Sequence, residues 1–594
     1  MFPLPAFAAL TLVLVSPDPS QRALAPLAPL MEKPVTSMVD PMRSTTTVEV
    51  KFGHGTQVRL RDDRFVGSAA VDADLEKVNL LIEGLGASSR RTFMQSEEWL
   101  AGWRESGERR SGHALHDLNL FFCVDLPDGD ASAICDVLNQ LDAVEIAWPS
   151  AVPSDPIVPP ALLACMTALM APDLSAGQTY AGPAPTGVDA EHGNTFSGGR
   201  GVGVTIIDCE TGWTDDHEDL TNKALNQYVG YTPAPYPWNH GTAVLGELVG
   251  EENGFGVQGL CVDADVKMST HSPVGGGTNI PGSVMNAAAA AQTGDVIVIE
   301  IQCSGGPPAP YPCEYDPSMF ATVQTATANG VHVIAAAGNG NNDLDSGSYG
   351  GAFNFAVRDS GAIMVGASNG SSLDKASFSN YGSRLTSSGW GFNVTTTGYG
   401  DLWGSGSTTY YTAGFSGTSS ATPIVTGAAV GLMSMIREAF KTEIDPIALR
   451  TLLANNGTPQ GAGGIIGSRP DLKKAIRAAG VPELELSGTF LPGSALTITC
   501  HAAPGDTWGL FWSPTLLPQP VYAAPAGYLA LDPNALLTLF LNGAIGGSGT
   551  GQVTFNIPNL PGISGFKSWF QGVAIFSTGT AFASFTNTAE FEIQ

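Results

Sequence analysis

Between about residues 200 and 480, near-continuous apolar segments alternate with segments of helical character, and this alternation constrains the fold more than any other feature. The apolar segments are VGVTIID, DVIVIEIQ, VHVIAAAGN and AIMVGAS. Such β-branched runs are typical of strands in a parallel sheet covered by helices on both faces. One intervening segment has Asp316 as a helix N-cap, Pro317 in the first turn and Gly330 beyond the end. Ligands of such sheets bind at the carboxyl ends of the strands.

The rest of the chain differs in character on each side of this α/β region. The stretch NLFFCVDLPDG predicts a strand and turn, DASAICDVLNQLD a helix, and AVEIAWP a second strand. Beyond about residue 483, short strands alternate with Gly/Pro turns, which predicts an all-β, sandwich-like domain. We therefore expect a cleaved apolar leader (1–23), a linker (24–45), a small α+β unit (46–149), a second linker (150–199), the α/β domain (200–482) and a β domain (483–594).

The net charge of the chain and the lengths of its apolar segments limit its possible partners. The chain has 55 acidic and 27 Lys or Arg residues, a net charge of −28, which disfavours nucleic acid as a partner. The apolar stretch 2–15 is too short to span a bilayer and is followed by small and turn-forming residues, as in a signal peptide. No later apolar run reaches about 18 residues, so no membrane span is expected.

Eight cysteines occur without any C-x-x-C spacing, which gives no support to a zinc or thioredoxin-like site. Cys303 and Cys313 flank a Pro/Gly loop and form the better candidate disulfide. Cys209 with Cys261 is a second candidate pair. Buried thiols remain the alternative for both pairs.

Four polar residues stand at the ends of predicted elements. Asp208 ends the first strong strand, His240 opens a helical segment, and Ser419 opens another. Acyl transfer needs a hydroxyl that attacks, an imidazole that moves the proton and a carboxylate that orients the imidazole. Asn339 ends the strand VHVIAAAGN, where its amide and the Ser419 backbone N–H can form an oxyanion hole.

Four motifs carry a family resemblance: D-x-x-x-G from Asp208, H-G-T at His240, A-A-G-N ending at Asn339 and G-T-S-x-A-x-P around Ser419. With the order Asp, His, Ser, they resemble the subtilisin-like serine proteases. The resemblance implies a three-layer α/β catalytic domain in which Asp208 orients the imidazole. It also implies His240 as general base, Ser419 as nucleophile and Asn339 as oxyanion donor. The sequence D-C-E-T-G departs from the commoner D-[ST]-G, which we interpret as a longer or reshaped loop.

The resemblance extends to substrate binding and regulation. It implies that Cys303, Ser304 and Gly305 form the edge that binds an extended peptide, and that Ala336, Ala337 and Gly338 line the pocket beside it. The α+β unit is similar to the family's inhibitory propeptides, with cleavage expected between about residues 149 and 200. We expect a secreted, extracellular, monomeric endopeptidase that acts on proteins or peptides and requires no cofactor. Calcium is possible as a structural ion; Asp343 and Asp345 either help to bind it or form a solvated acidic loop.

Two other functions are each favoured by a part of the sequence. G-A-S-N-G fits the nucleophile elbow of an α/β-hydrolase and would make Ser368 the nucleophile. However, no helix follows it, and His501 is the sole histidine downstream. The other alternative is a binding or adhesin protein on an inert protease fold, against which the complete catalytic set argues. Trp508, Trp512 and Trp569 either form a sugar-binding face of the β domain or belong to its core.

Overall fold

The computed structural model describes residues 24–34, 42–154, 171–223, 227–234, 238–535, 540–579 and 581–594. The predicted signal peptide (1–23) and Cys165 lie outside the described residues.

The N-terminal unit is an antiparallel sheet in the order β4-β5-β1-β6, with helices packed against it. The predicted strand, helix and strand before residue 150 are confirmed, but the last strand continues to Ser154, beyond the expected boundary. Its elements are β1 (Arg43–Phe52), β2 (Arg59–Arg61), β3 (Arg64–Val66), α1 (Asp72–Leu85), β4 (Ser88–Arg91), α2 (Glu97–Ser111), β5 (Phe121–Asp125), α3 (Ala131–Asn139) and β6 (Val144–Ser154).

The central unit contains the predicted alternation of strands and helices. Its first half comprises α4 (Ala190–Gly193), β7 (Thr205–Glu210), α5 (Asn239–Val249), β8 (Asp265–Thr270), α6 (Ile280–Ala290), β9 (Val296–Ile299), β10 (Gln302–Ser304), β11 (Tyr311–Pro312) and α7 (Pro317–Ala328). Its second half comprises β12 (His332–Ala336), β13 (Ile363–Ser368), β14 (Ser387–Trp390), β15 (Val394–Thr397), β16 (Tyr411–Phe415), α8 (Thr418–Phe440), α9 (Pro446–Asn456) and α10 (Leu472–Ala479).

Six of these strands form one parallel sheet in the order β14-β13-β12-β9-β7-β8. Alternate residues of each strand enter different cores: Ile206 and Val298 pack on the side of α5 and α8, whereas Ile207 and Ile297 pack on the side of α6 and α7. Burial on both faces explains why the strands lack polar alternation. The three-layer α/β prediction is confirmed.

Helix α8 lies at the centre of this unit. By length and composition it could cross a membrane, but its most apolar window is 100% buried inside the protein. Each face of the helix therefore has protein neighbours, which explains why it is apolar all round.

The C-terminal unit is all β, as predicted, and two sheets enclose its core. Their orders are β17-β18-β23 and β22-β19-β24-β25. Trp508 belongs to the core at 1% exposure, while Trp512 and Trp569 are half-buried. The strands are β17 (Glu483–Gly488), β18 (Ala495–His501), β19 (Thr507–Ser513), β20 (Leu516–Ala523), β21 (Gly527–Leu531), β22 (Phe540–Ala544), β23 (Thr550–Asn556), β24 (Lys567–Ile575) and β25 (Ala583–Glu592).

A buried ion pair generates a prediction about stability. Arg384 is 1% exposed at its side chain and donates to Glu314 at 3.3 Å and to Ser360 Oγ at 3.0 Å. Replacing it (Arg384→Met) leaves the Glu314 carboxylate buried without this partner, so we expect the free energy of unfolding to fall by about 3–5 kcal/mol. Urea unfolding followed by tryptophan fluorescence measures the change.

The matched control is Arg64→Met. Arg64 pairs with Glu76 at 2.8 Å, but both side chains are about half exposed. Its loss should cost less than about 1 kcal/mol. Equal effects of the two substitutions would contradict the stabilising role of the buried pair.

Candidate active site

The imidazole of His240 is held by a carboxylate at the end of β7. His240 is the second residue of α5, and its Nδ1 contacts Oε1 of Glu210, the last residue of β7. The other Glu210 oxygen accepts a hydrogen bond from the Thr211 backbone N–H at 2.8 Å. Because Nδ1 faces a carboxylate, the neutral ring keeps its proton there and leaves Nε2 as the proton acceptor.

Asp208, the predicted partner of the imidazole, lies deeper in the sheet. It is fully buried, and its Oδ2 accepts a hydrogen bond from the Trp213 indole N–H at 2.8 Å. Asp208 and Glu210 are on the same face of β7, since side chains alternate along a strand. Glu210 stands at the strand end with the longer side chain, and it is the residue that contacts His240. The sequence-based choice of Asp208 as the partner of His240 is therefore corrected to Glu210.

Ser419 and Asn339 meet at the beginning of α8. The amide oxygen of Asn339 accepts hydrogen bonds from the Thr418 backbone N–H at 2.8 Å and from its hydroxyl at 3.1 Å. This directs the Asn339 NH₂ group toward Gly417. A Cβ added at Gly417 would lie 3.4 Å from Asn339 Nδ2 and 3.5 Å from the Ser419 backbone N. Two N–H donors thus border the same small space, as an oxyanion site requires.

The predicted substrate edge is occupied by a strand of the N-terminal unit. β6 pairs antiparallel with β10, so that Ser154 lies opposite Gln302, Pro153 opposite Cys303 and Val152 opposite Ser304. Gly305 follows directly, and its carbonyl accepts a hydrogen bond from Arg43 Nε at 2.5 Å. The edge around residues 303–305 can therefore bind an extended segment by backbone pairing.

The Cys303–Cys313 disulfide is confirmed, and it joins the two ends of the loop that connects β10 to β11. The second candidate pair is wrong. Cys209 and Cys261 are free, buried thiols, and the Cys261 S–H donates to the Leu248 carbonyl at 3.1 Å.

The segment Ala336, Ala337 and Gly338 is buried at the end of β12. Gly338 has a φ of 87°, in the region that favours glycine. Asn380 fixes this segment, because its amide donates to the Ala337 carbonyl at 2.7 Å and accepts from the Gly340 N–H at 3.1 Å. Asn380 was missed from sequence, although it lies in the family-like stretch ASFSNYG.

The central unit, which carries this site, is similar in sequence to known proteins. Residues 199–468 match the model of the Subtilase family. Subtilisin Savinase of Lederbergia lenta is 30% identical over 271 residues, which are 46% of this chain and 88% of that protein. The chain belongs to the subtilase family.

Two further proteins complete the comparison. The Alkaline protease of Alkalihalobacillus alcalophilus is 29% identical to this subtilase, and the match spans 62% of its length and 46% of this chain. A solved protease of Pseudoalteromonas arctica is 22% identical with a TM-score of 0.39, and the match covers 52% of this chain and 100% of the solved one.

Four carboxyl groups surround the site of this subtilase on the face of α5 and α8: Asp208, Glu210, Glu247 and Glu300. Burial raises the pKa of Asp208 well above its usual range, and the charge of Glu210 raises it further. Burial also raises the pKa values of Glu247 and Glu300 well above the usual range. An imidazolium at position 240 therefore has Glu210 as its contacting anion, with largely neutral acids behind it.

The signal for Glu210 was present in the sequence. The family pattern D-[ST]-G matches E-T-G, with Glu210 in the place of the aspartate, rather than a lengthened motif that begins at Asp208. The predicted Asp208 lies two positions upstream of this glutamate and is an aspartate, as in the family pattern. The β-strand period of two makes both positions face the site, so periodicity could not separate them.

Several other predicted residues have structural roles. Ser368 is fully buried between the Gly389 carbonyl, to which it donates at 2.8 Å, and Arg469, which donates to it at 2.7 Å. This arrangement argues against the hydrolase alternative. His217 is structural, as predicted, because its ring donates to the Tyr410 carbonyl at 2.9 Å and burial lowers its pKa to about 4.

The possibility that Asp343 and Asp345 help to bind calcium is not supported by a group of carboxylate ligands among the described residues. Across the described ranges, no group of three or more His, Cys, Asp or Glu side chains is arranged to hold a metal ion. The Asp345 carboxylate accepts hydrogen bonds from the Ser383 backbone at 2.8 Å and its hydroxyl at 2.7 Å, which stabilises the loop.

The site geometry predicts different effects for two neighbouring acids. Glu210→Gln removes the carboxylate that contacts Nδ1, so we expect the rate of reaction at Ser419 to fall on the order of 10³–10⁴-fold, as in other serine peptidases. Asp208→Asn should cost less than about 10-fold, because Asp208 bonds the Trp213 indole instead. The second-order rate of fluorophosphonate labelling measures both variants. A larger loss for Asp208→Asn than for Glu210→Gln would restore the original assignment.

Proposed function

We propose that this subtilase is a secreted serine endopeptidase that forms an acyl-enzyme on Ser419. The contact between His240 and Glu210 carries the proposal, since it leaves Nε2 as the ring atom that accepts a proton. The paired donors of Asn339 and Ser419 support it. Substrates are proteins or peptides bound in extended form along β10.

The proposed reaction follows from these positions. Ser419 Oγ attacks the scissile carbonyl while its proton passes to His240 Nε2, and Glu210 stabilises the imidazolium. The carbonyl oxygen becomes an oxyanion that accepts hydrogen bonds from Asn339 Nδ2 and the Ser419 N–H. His240 then donates the proton to the leaving amine, which departs as the acyl-enzyme forms. A water molecule then attacks the acyl-enzyme, with His240 again moving the proton, and the acid product is released from Ser419.

The N-terminal unit is proposed as an intramolecular inhibitor. Its strand β6 pairs with the edge that a substrate would use, so a substrate and the unit compete for the same backbone groups. Arg43 anchors the unit, because Nη2 bonds the Asp316 carboxylate at 2.8 Å within a buried contact. A covalently attached inhibitor of this kind delays activity until the chain is cut.

Cleavage is proposed between Ser154 and residue 171. Residues up to Ser154 belong to β6, whose pairing with β10 protects its backbone. After residue 171 the chain already joins the central unit, where the Leu174 N–H donates to the Gly256 carbonyl at 2.7 Å. The predicted range for cleavage thus narrows from 149–200 to 154–171.

Secretion is proposed from the apolar leader in residues 2–15, which lies outside the described residues. We further propose that the mature enzyme is a monomer and requires no cofactor for the reaction, since the proposed steps use this chain's own groups.

A covalent probe tests the proposal directly. The processed wild-type chain should react with a fluorophosphonate at Ser419, and Ser419→Ala should abolish labelling, because the probe bonds the activated hydroxyl. Ser368→Ala is the matched control and should label like wild type, since that hydroxyl is buried. Mass spectrometry of the labelled peptide locates the adduct. An unlabelled wild type would favour the inert binding protein, and equal labelling of Ser419→Ala would move the nucleophile elsewhere.

The interface between the two units predicts a dependence of stability on pH. Glu49 of β1 is buried against α7, where it accepts a hydrogen bond from Ser318 Oγ at 2.6 Å. Burial raises the pKa of Glu49 to about 7, a hydrogen bond from Ser318 opposes this shift, and the nearby Asp316 charge adds to it. Below about pH 4.5 the group is protonated in both the folded and the unfolded chain, so it has no effect on stability.

As the pH rises from about 4.5 to 7, the unfolded chain releases this proton first, so the folded unit loses stability; above pH 7 the loss is constant. Glu49→Gln in a Ser419→Ala chain, which prevents self-digestion, should remove that loss, with a gain of about 3 kcal/mol at pH 8 and none at pH 4. Urea unfolding at each pH measures it. Glu76→Gln, at an exposed position of the same unit, is the control. A gain independent of pH would contradict the assignment.

A further inference from the structure

A second glutamate stands beside Glu210 at the carboxyl edge of the sheet. In the parallel pairing of β7 with β9, Asp208 lies opposite Val298 and Cys209 opposite Ile299. The next step of this register brings Glu300 beside Glu210, and the Glu300 N–H donates to the Cys209 carbonyl at 3.4 Å. Paired residues of parallel strands point to the same face. Both carboxyl groups therefore face α5 and α8.

The Glu300 side chain reaches the proposed nucleophile. The residue is 4% exposed, and neither carboxyl oxygen has a hydrogen-bond partner of standard geometry among the described residues. The Ser419 hydroxyl lies near enough to influence the Glu300 carboxyl, without forming a hydrogen bond of standard geometry. Burying a carboxyl group without a hydrogen bond lowers the stability of the fold, and an apolar residue at this position would avoid that loss. The acid is therefore a candidate for a functional role.

The charges around Glu300 oppose its ionisation. β7 contributes Asp208 and Glu210, α5 contributes Glu247, and α8 contributes the neutral Ser419 hydroxyl. The nearby His240 ring is already bound by Glu210. Burial raises the pKa of Glu300 well above its usual range, the neighbouring acid groups raise it further, and the Ser419 hydroxyl opposes the rise. Glu300 is thus a neutral acid when Glu210 is ionised.

We propose that Glu300 acts as a neutral carboxylic acid that positions Ser419, and that its ionisation switches the peptidase off at alkaline pH. The inference rests on the proposed function of Ser419. The protonated carboxyl donates its O–H to Ser419 Oγ, which leaves the Ser419 proton free to pass to His240 Nε2. It also adds no charge next to the oxyanion site.

Ionisation reverses both effects. When hydroxide takes the Glu300 proton, the carboxylate becomes an acceptor for the Ser419 O–H, and that proton is withdrawn from His240. The new negative charge also lies beside the point where the oxyanion forms, and charges of like sign repel strongly in a buried site. Glu300 keeps its proton throughout the catalytic cycle, so no additional reactant is needed.

The test is the pH profile of fluorophosphonate labelling from pH 5 to 11 on the processed enzyme. Wild type should lose about 10-fold in rate per pH unit along its alkaline limb. Glu300→Gln keeps a neutral hydrogen-bonding side chain, so it should retain the rate at the optimum within about 10-fold and move the alkaline limb up by at least one pH unit. Glu300→Ser, smaller and also neutral, should move it likewise and serves if the glutamine variant does not fold.

Glu247→Gln is the matched control, because Glu247 is also a fully buried glutamate, on α5, and it shares no hydrogen-bond interaction with Ser419 in the proposal. It should not move the alkaline limb to higher pH, because the charge of Glu247 raises the pKa of Glu300 and its removal can only lower that pKa. Alkaline limbs that coincide in wild type and the Glu300 variants would overturn the inference while labelling of wild type upholds the proposed function. Absence of labelling in wild type would overturn both.

Discussion

The hydrogen bonds from Thr418 to the Asn339 amide oxygen join the start of α8 to the end of β12, and the whole site depends on this join. They satisfy a backbone N–H in the first turn of a helix, where no intrahelical partner exists. They also use the amide oxygen completely, which directs the NH₂ group toward Ser419. A single cap therefore stabilises the central helix and orients a donor. The loop that carries Asn339 is fixed in turn by Gln302, whose side-chain oxygen accepts the Asn339 N–H at 2.9 Å.

Several acids at this end of the sheet are buried. Asp208, Glu247 and Glu300 are fully or almost fully buried, and a charge on each would be costly. The cost is limited because burial raises the pKa of all three groups and favours their neutral forms, while Glu210 is the acid that contacts His240. Preorganised charge in a desolvated site stabilises a transition state more than the same charge in water. The buried acids thus lower the stability of the fold, while their arrangement favours the charges of the transition state.

The N-terminal unit is held by the same physics of strand pairing and buried charge. β6 pairs with the edge of β10, while Arg43 brings a charge into the interface, where it pairs with Asp316, and Glu49 accepts a hydrogen bond from Ser318. Backbone pairing tolerates many sequences, whereas a buried ion pair requires particular partners. The first interaction explains how the unit covers the substrate edge, and the second explains why it fits this surface.

Local pattern alone determined the parallel sheet, the helix that begins after Asp316, the all-β unit and the element ends that carry His240, Asn339 and Ser419. Apolar runs and helix caps are local, so they could be read along the chain. The strand period could not select the partner of His240, because Asp208 and Glu210 share one face of β7; the position of α5 selects Glu210, in agreement with the E-T-G pattern. Only tertiary structure decided the place of Glu300, the strand β6 that continues onto β10, and the free thiols of Cys209 and Cys261. Each of these features depends on residues that are far apart in the chain, and a local sequence pattern carries no information about which distant elements meet.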